Sequence, residues 1–422
     1  MSLEFNKVVE QVYKMGAMLE KLDFDMTTSL ELAQARFAAS SDLDAVRERI
    51  HWVQSSDISG YRGAAPLGLP NAEPINGIFP APPAPEMATI LAADGSQVYP
   101  DELAPVHYYL INVGVFVYHH GQDVTPEQHT YPDLRYHKDH VHDRHGRLIR
   151  NSTVDDRRTV REIRTLAEHA WMRRNYNMPL VTLYDNRLMY LPGGDDAREA
   201  RDLMGEYIGA MVHLHDAGAI LGGYIDHPFR SKRFMQLLYL MSFESRDEMK
   251  IHQAALSRAG DLEGLRDQMF FQAVLQNGER SAIMVQSSPQ NKEFKDRGEN
   301  YEIAFFYLKV YNQYQSKVVR VDVPVWVARD PQKVDTLHAL LLHQCQLQGR
   351  NPYPYAITRA DELAWVGGKD RSKLQELVNT QVRRVKQELA GQTLPAKSRG
   401  KELARSEKRY HFMKGEIELD ER

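Results

Sequence analysis

The stretch Ile90-Leu91-Ala92-Ala93-Asp94-Gly95-Ser96 decides the fold, because a short apolar run carries a carboxylate to its end. Such a run is typical of a buried strand, and a glycine directly after it indicates a turn. The same design recurs in Leu180-Val181-Thr182-Leu183-Tyr184-Asp185-Asn186. We expect both strands to end at their aspartates, with Asp94 and Asp185 converging across one sheet as oxygen ligands of a divalent metal.

A simpler explanation competes with the metal site at each aspartate. Asp-Gly and Asp-Asn pairs are common in turns, where the side chain hydrogen-bonds to nearby backbone. For a single aspartate the turn role is favoured. When two aspartates each close an apolar strand, the two explanations are about equally supported.

The composition indicates a protein with a substantial core and no cationic surplus. The chain has 422 residues, 42% of them hydrophobic, and a net charge of −4. Nucleic-acid contacts therefore require a local basic lining, which we expect inside a channel. Cys345 is the single cysteine, and no secretory signal or apolar run of roughly 20 residues is present. We expect a cytoplasmic protein without membrane association.

The chain divides into four predicted regions. Residues 1–55 carry apolar residues at helical spacing, which predicts an N-terminal helical arm for oligomer or partner contacts. Residues 56–86 are rich in proline and glycine, which predicts a connector without regular structure. Residues 87–390 form the main domain, and residues 391–422 a charged tail that only a partner would order.

The main domain alternates strands and helices after an opening hairpin. The strand ending at Asp94 and a strand over 107–118 are predicted to pair antiparallel, before a polar, histidine-rich excursion or further hairpin over 119–153. There follow a helix over 154–175, the strand ending at Asp185, a helix over 197–217, a strand over 219–225, an antiparallel pair over 301–311 and 318–327, and helices over 334–348, 357–366 and 372–389. This order predicts an α/β fold with a ribonuclease-H-like mixed sheet flanked by helices.

Glu162 is a further candidate ligand, on the predicted helix between the two strands. Ile163, Leu166 and Ala170 mark the buried face of that helix, and Glu162 lies at its edge. A surface salt bridge with Arg158 or Arg161 is the alternative, and the spacing alone favours it.

Two later acids are weaker candidates. Asp361 lies in a predicted late helix, where an acid in the first turn is also explained by the helix dipole. Asp226 ends another predicted strand and is a fifth candidate. The neighbouring Arg230 and Lys232, together with Arg187, are expected to contact DNA phosphates.

The histidines between residues 119 and 145 suggest a zinc site at first sight. No cysteine accompanies them and their spacing matches no structural zinc pattern, so a solvated loop is favoured. The chain also contains no Gly-x-x-x-x-Gly-Lys-Ser/Thr phosphate loop, which argues against an ATP-driven motor.

Several short motifs resemble those of the NurA family of DNA-end-processing nucleases. They occur in the family's order over residues 87–390 and are Ala93-Asp94-Gly95-Ser96, Leu183-Tyr184-Asp185-Asn186-Arg187-Leu188, Gly223-Tyr224-Ile225-Asp226-His227-Pro228, Arg320-Val321-Asp322-Val323-Pro324-Val325-Trp326 and Tyr353-Pro354-Tyr355-Ala356-Ile357. Each motif is weak alone, and the ordered set is stronger.

The resemblance implies a ribonuclease-H-like fold, a nuclease dependent on Mn²⁺ or Mg²⁺, and a ring-like homodimer. It also implies a partner, a hexameric HerA-type ATPase translocase that feeds DNA to the nuclease in end resection. Asp94 and Asp185 match the family's two principal metal-binding aspartates, and Glu162 the acid between them. Asp361 lies where some relatives carry histidine, and Asn186 departs from the glycine that often follows the second aspartate.

These observations predict a metal-dependent DNA nuclease in which Asp94, Glu162, Asp185 and Asp361 hold the metal. Its role would be 5′-3′ end resection in DNA repair or defence against phage. The alternative is a non-catalytic, dimeric DNA clamp for the translocase, although a clamp does not require converging carboxylates. A sugar-kinase-like ATPase would share the sheet, but the glycine-rich phosphate loops it needs are not found.

Overall fold

The computed structural model describes residues 4–19, 26–55, 61–104, 106–194 and 196–385. The strands within these ranges are β1 (Ala64–Pro66), β2 (Ile78–Phe79), β3 (Ala88–Val98), β4 (Tyr109–His120), β5 (Glu127–Arg135), β6 (Leu180–Tyr184), β7 (Ile220–Ile225), β8 (Arg280–Ser281), β9 (Met284–Gln286), β10 (Ile303–Tyr311) and β11 (Ser316–Pro324). The predicted charged tail at 391–422 lies outside the described residues.

The helices include two long ones, α5 and α6, that follow the opening strands. In chain order they are α1 (Phe5–Leu19), α2 (Met26–Ala39), α3 (Leu43–Gln54), α4 (Lys138–Val141), α5 (Asn151–Met172), α6 (Ala197–Asp216), α7 (Arg233–Leu240), α8 (Arg246–Ile251), α9 (Gln253–Leu256), α10 (Asp267–Val274), α11 (Pro289–Asp296), α12 (Val325–Ala328), α13 (Pro331–Gln346), α14 (Tyr355–Ala364) and α15 (Gly368–Val385). In the described part of the chain, no helix combines the length and apolarity needed to cross a membrane.

The chain forms two compact units, and each is built from several segments. The first unit contains Met1–Glu86, Asn186–Met189 and Ile220–Tyr355, and the second contains Met87–Asp185, Tyr190–Ala219 and Ala356–Arg422. The four regions predicted from the sequence are continuous segments, whereas each compact unit combines several segments. The predicted boundaries therefore stay a prediction.

The second unit contains a mixed sheet in the order β6-β3-β4-β5. Strand β4 pairs antiparallel with both β3 and β5, and β6 pairs parallel with β3. Helix α5 packs against β3, β4 and α6, with Val160, Ile163, Leu166 and Ala170 fully or almost fully buried. A mixed sheet flanked by helices, with its antiparallel strands first, confirms the predicted ribonuclease-H-like α/β fold.

Several boundaries in this unit differ from the prediction. Helix α5 begins at Asn151, three residues before the predicted start, and Arg150 before it makes no capping hydrogen bond through its side chain. The histidine-rich excursion contains strand β5, which pairs along β4 from Tyr109↔Arg135 to Val117↔Glu127. A strand is possible there because β4 offers it a long free edge.

The first unit contains the remaining strands in the order β1-β9-β10-β11-β7, with β2 paired to β8. The predicted antiparallel pair is confirmed in β10 and β11, which are in register from Ile303↔Pro324 to Tyr311↔Ser316. The proline-rich connector was predicted to lack regular structure, and this is wrong for β1 and β2. Strand β1 pairs with β9, and β2 pairs with β8. Short strands of this kind are possible because the prolines leave short extended runs between them.

Helices α2 and α3 belong to the core of the first unit rather than to a separate arm. Phe37 of α2 packs edge-on against Phe234 and Phe270, with ring centroids 5.8 and 5.3 Å away. By contrast, α1 exposes Phe5 and Val12. Cys345 is buried as predicted, and burial raises the pKa of its thiol to about 12.

Candidate metal centre

Asp94 lies inside a strand rather than at its end. Strand β3 continues through Gly95 to Val98 and pairs with β4 over its whole length, so the predicted turn at Gly95 is wrong. The neighbour that does end is β6, whose pairing with β3 stops at Ala93↔Tyr184. Asp94 and Asp185 are the next residues of these two parallel strands. The sheet therefore opens beside Asp94 because β6 ends, and the two predicted aspartates follow the last pair.

Glu162 reaches this point from α5. A Cβ atom on Gly95 would lie 2.4 Å from Glu162 Oε1, so glycine leaves the space that the Glu162 side chain occupies. Glu162 is only 4% exposed. Tyr184 Oη donates to its Oε2 at 3.1 Å, and Arg158 Nε lies 3.2 Å from its Oε1. The pairing with Arg158 exists, but it is a buried contact and not the surface salt bridge that the spacing favoured.

Helix α14, which carries Asp361, packs on the opposite face of β3. Gly114 pairs with Asp94 across the β3–β4 ladder, and directly paired residues of antiparallel strands point to the same face. A Cβ atom on Gly114 would lie 2.5 Å from Ala360 O and 2.6 Å from Ala364 N. The backbone of α14 therefore rests directly on the sheet next to Asp94, and only glycine permits this approach.

The C-terminal end of α14 is fixed to the same two strands. Asn112 Nδ2 of β4 donates to Ala364 O at 2.9 Å and to Leu363 O at 3.2 Å. Ser96 Oγ of β3 accepts from Val366 N at 3.2 Å. These side chains satisfy backbone groups that a helix end leaves unpaired, so the position of α14 is determined by β3 and β4.

The four predicted ligands interact electrostatically. Burial raises the pKa of Asp94 to about 8, and the charges of Glu162, Asp185 and Asp361 contribute to the rise. The N–H of Gly95, which donates to Asp94 Oδ1 at 2.7 Å, opposes it. Like charges close together in a poorly solvated place cannot all be ionised without a compensating cation. The structure therefore brings the four carboxylates of the sequence prediction into one group.

Glu162 has a similarly perturbed acidity. Burial raises its pKa to about 7, the charge of Arg158 and the hydrogen bond from Tyr184 oppose the rise, and Asp185 adds to it. Arg158 thus supplies positive charge to a site with several carboxylates. Perturbed carboxyl groups that cluster in this way are typical of functional sites.

The donor set suits a hard divalent cation. All four side chains offer carboxylate oxygens, which Mg²⁺ and Mn²⁺ prefer. Within the described residues, Glu162 Oε1 is buried and accepts no hydrogen bond. In the described part of the chain, no three His, Cys, Asp or Glu side chains are arranged so that they could hold a metal ion. The four carboxylates therefore interact electrostatically and have the chemistry of hard-cation ligands, but they do not form a coordination shell in this structure.

Comparison with known families identifies this arrangement. The NurA domain family matches residues 88–366, which is more than half of the chain and includes all four carboxylates. The chain belongs to the NurA family. The resemblance of its short motifs to this nuclease family is thereby confirmed. Among curated proteins, none matches the chain.

Solved structures with a similar fold include two NurA proteins. The NurA nuclease from Sulfolobus solfataricus matches 89% of this chain and 97% of its own, at 12% identity and a TM-score of 0.46. A NurA structure with manganese matches 72% of this chain and 91% of its own, at 12% identity and a TM-score of 0.36. Endonuclease V from Ciona intestinalis, in complex with DNA, matches 69% and 87% at 11% identity and a TM-score of 0.25. Scores this low carry no argument about function.

The predicted phosphate contacts belong to the first unit. Arg187 and Arg230 are exposed, and Lys232 lies half-buried directly before α7. Asp226, the fifth candidate ligand, is in the same unit and has a cationic partner, Lys317 Nζ at 2.5 Å. It is not among the groups that raise the pKa of Asp94. The prediction that these basic residues contact DNA stays a prediction.

The histidine-rich segment is a strand over Glu127–Arg135, so the favoured solvated loop is wrong there. The ring of His129 lies 4.9 Å from that of His169, centroid to centroid, and Tyr131 Oη hydrogen-bonds with His169 Nε2 at 2.8 Å. None of the histidines in the described ranges joins a group of three metal-ligating side chains. The strand face that carries them packs on α5 through polar contacts.

Sequence reasoning missed three contributors to the site. Tyr184 was counted as part of an apolar run, although it donates a hydrogen bond to Glu162. Gly114 was not singled out, although a glycine within a strand of bulky residues often marks the close approach of another backbone. Asp155, two helical turns before Glu162, was also missed, and its charge adds to the rise of the Glu162 pKa.

The close approach of α14 predicts a specific sensitivity at Gly114. Gly114→Ala forces the α14 backbone, and Asp361 with it, away from Asp94. We expect the affinity for Mn²⁺, measured by titration calorimetry, to fall about 10-fold or more, as for other losses of support around metal ligands. Gly209→Ala is the matched control, because nothing lies within 4 Å of its Cβ position on α6. Equal affinities in the two variants would contradict the positioning role of α14.

The pH dependence of stability tests the buried charge of Asp94. Folding raises the pKa of this carboxyl from 3.8 to about 8, so the folded metal-free protein retains a proton that the unfolded chain releases. This contribution to stability is complete below about pH 4 and is lost as the pH rises through about 8. We expect metal-free Asp94→Asn to unfold at a higher temperature than the wild type, by a margin that grows over this range.

Calorimetric melting with EDTA present is the measurement. Asp202→Asn is the control, because Asp202 is exposed on α6 and its substitution leaves the pH dependence unchanged. A margin between Asp94→Asn and the wild type that stays constant from acid to alkaline pH would show that Asp94 is not in a desolvated cluster of charge.

Proposed function

We propose that the protein is a metal-dependent DNA nuclease that hydrolyses phosphodiester bonds. Asp94, Glu162, Asp185 and Asp361 would hold Mn²⁺ or Mg²⁺. The observation that carries this proposal is the electrostatic group of four carboxylates at the open end of β6, in a chain of the NurA family. A structural role does not explain a group whose members destabilise one another.

The residues around the carboxylates orient them for this chemistry. A bound divalent cation supplies a Lewis acid that polarises the phosphate and activates water. Tyr184 fixes one oxygen of Glu162 by its hydrogen bond, and Arg158 holds the other side of that carboxylate. Gly95 and Gly114 allow α5 and α14 to bring their acids to the two faces of β3.

DNA would be held by cations of the first unit. Arg187 and Arg230 are exposed and Lys232 is half-buried, and guanidinium and ammonium groups bind phosphates without regard to sequence. A local cluster of this kind compensates for the net charge of −4. Such contacts would make binding strongly dependent on salt concentration.

The wider role follows from the family rather than from the site. We propose that the nuclease acts as a homodimer in the cytoplasm with a hexameric HerA-type ATPase, in 5′-3′ resection of DNA ends for repair or anti-phage defence. The resemblance of the NurA motifs supports this assignment. A dimeric DNA clamp without catalysis is the alternative, and the carboxylate group weighs against it.

Cleavage of end-labelled linear DNA tests the proposed activity. We expect Mn²⁺-dependent degradation by the wild type and a loss of about 10³-fold or more in Asp94→Ala, since a metal site contributes several kcal/mol to catalysis and each 1.36 kcal/mol is about tenfold. Asp139→Ala, which removes an exposed acid of the same unit, leaves the rate unchanged. If neither the wild type alone nor the wild type with a translocase and ATP degrades DNA, the clamp replaces the nuclease.

A further inference from the structure

A pair of aromatic rings projects from the first unit directly after β7. Phe229 is 59% exposed, and the His227 side chain beside it is 54% exposed. Their ring centroids are 4.9 Å apart and the rings are inclined at 61°. The same unit buries Phe234 completely, five residues later. An exposed ring whose position is fixed by a second ring can offer its free face to another aromatic group.

The segment that carries these rings, residues 226–233, is called the aromatic loop here. Its first residue is fixed by a half-buried ion pair: Asp226 Oδ1 lies 2.5 Å from Lys317 Nζ, and Asp226 Oδ2 contacts His227 Nδ1. Lys317 Nζ also donates to Asn351 Oδ1 at 2.7 Å. The orientation of the His227 ring is therefore determined before any ligand arrives.

The far end of the aromatic loop is fixed by a buried carboxylate. Ser231 is buried, and its Oγ donates to Asp267 Oδ2 at 2.7 Å. The same carboxylate accepts from Arg233 N at 2.7 Å and from Phe234 N at 3.1 Å, which starts α7. Between these two anchors, Ser231 N donates to Pro228 O at 2.9 Å and closes a turn. A ligand would thus bind a loop that is already ordered, which reduces the entropic cost of binding.

The outward side of the aromatic loop is cationic. Its one acid, Asp226, has a side-chain exposure of only 15%, and Asp267, which accepts hydrogen bonds from the loop, is fully buried. Arg230 is exposed next to Phe229. Burial lowers the pKa of Arg233, and the charges of neighbouring Arg320, Arg62 and Arg187 lower it further. Several positive groups of the first unit therefore lie around the loop.

We propose that the aromatic loop is a binding site for an unpaired nucleotide, in which Phe229 stacks on a base and Arg230 contacts the adjacent phosphate. Stacking on a protruding ring requires a base whose face is free, and in a duplex the faces are covered by neighbouring base pairs. The ligand class is therefore single-stranded DNA, including the frayed strand of a duplex end. This inference rests on the proposed function for the identity of the polymer, and it specifies the strand form that the first unit selects.

Binding measurements separate this inference from the proposed nuclease activity. Full-length protein with Asp94→Ala is titrated into fluorescein-labelled oligothymidylate and, separately, into a blunt-ended duplex, with anisotropy as the readout. Adding Phe229→Ala is expected to weaken single-strand binding about 5- to 150-fold, the range for one stacked base, and to leave duplex binding unchanged. Phe229→Trp restores single-strand affinity, and the single strand quenches its additional tryptophan emission.

Two further variants test the details. Arg230→Ala is expected to weaken both ligands and to reduce the salt dependence of binding by about one released ion, as a phosphate contact does. Tyr314→Ala is the matched control, since Tyr314 is 64% exposed in the same unit but lies in the turn after β10; both affinities stay unchanged. An equal loss on both ligands in Phe229→Ala, or no loss on either, overturns the stacking role. Either result is independent of whether the wild type cleaves DNA.

Discussion

The carboxylate charges at the end of β6 are the constraint on which the second unit depends. Glu162 is buried, Asp94 and Asp185 are half-buried and Asp361 is exposed. Asp94 has a pKa of about 8 because burial and three neighbouring acids oppose its ionisation. Such a group lowers the stability of the metal-free protein near neutral pH, and the surrounding sheet and helices must compensate. A bound cation would compensate these charges and stabilise the folded protein, so stability and function both favour an occupied site.

Two glycines determine how the acids gather around β3. Gly95 leaves room for Glu162 from α5, and Gly114 lets the backbone of α14 rest on the opposite face. Adjacent residues of a strand point to opposite faces. Two helices can therefore bring acidic side chains close to both faces of β3 only where no side chain of the sheet blocks them. Because β6 ends before it would pair with Asp94, β6 does not separate the two faces of the sheet at this point.

The fold was largely predictable from the sequence, because apolar runs and their periodicity report burial directly. Asp94, Glu162, Asp185 and Asp361 were selected from residue type, position and family motifs, and their role as metal ligands stays a prediction. Their geometry was not, since the sequence places Asp94 before a glycine and so suggests a turn, whereas pairing with β4 carries the strand on to Val98. Local propensity cannot show which neighbouring strand ends first, and that is a property of the assembled sheet. The partnership between Tyr184 and Glu162 was hidden for the same reason.

The segment after β6 is held within the first unit by a contact to a buried ion pair. Asp185 belongs to the second unit and Arg187, two residues later, to the first. Leu188 N donates to Asp322 Oδ2 at 3.3 Å, and Asp322 is paired with Arg320 Nε at 2.7 Å within the core of the first unit. A buried ion pair holds such a segment firmly only while both partners remain, because removing one leaves an uncompensated charge. The proposed phosphate contact at Arg187 thus depends on a buried pair far away in sequence. The proposed metal ligand Asp185 lies two residues before Arg187.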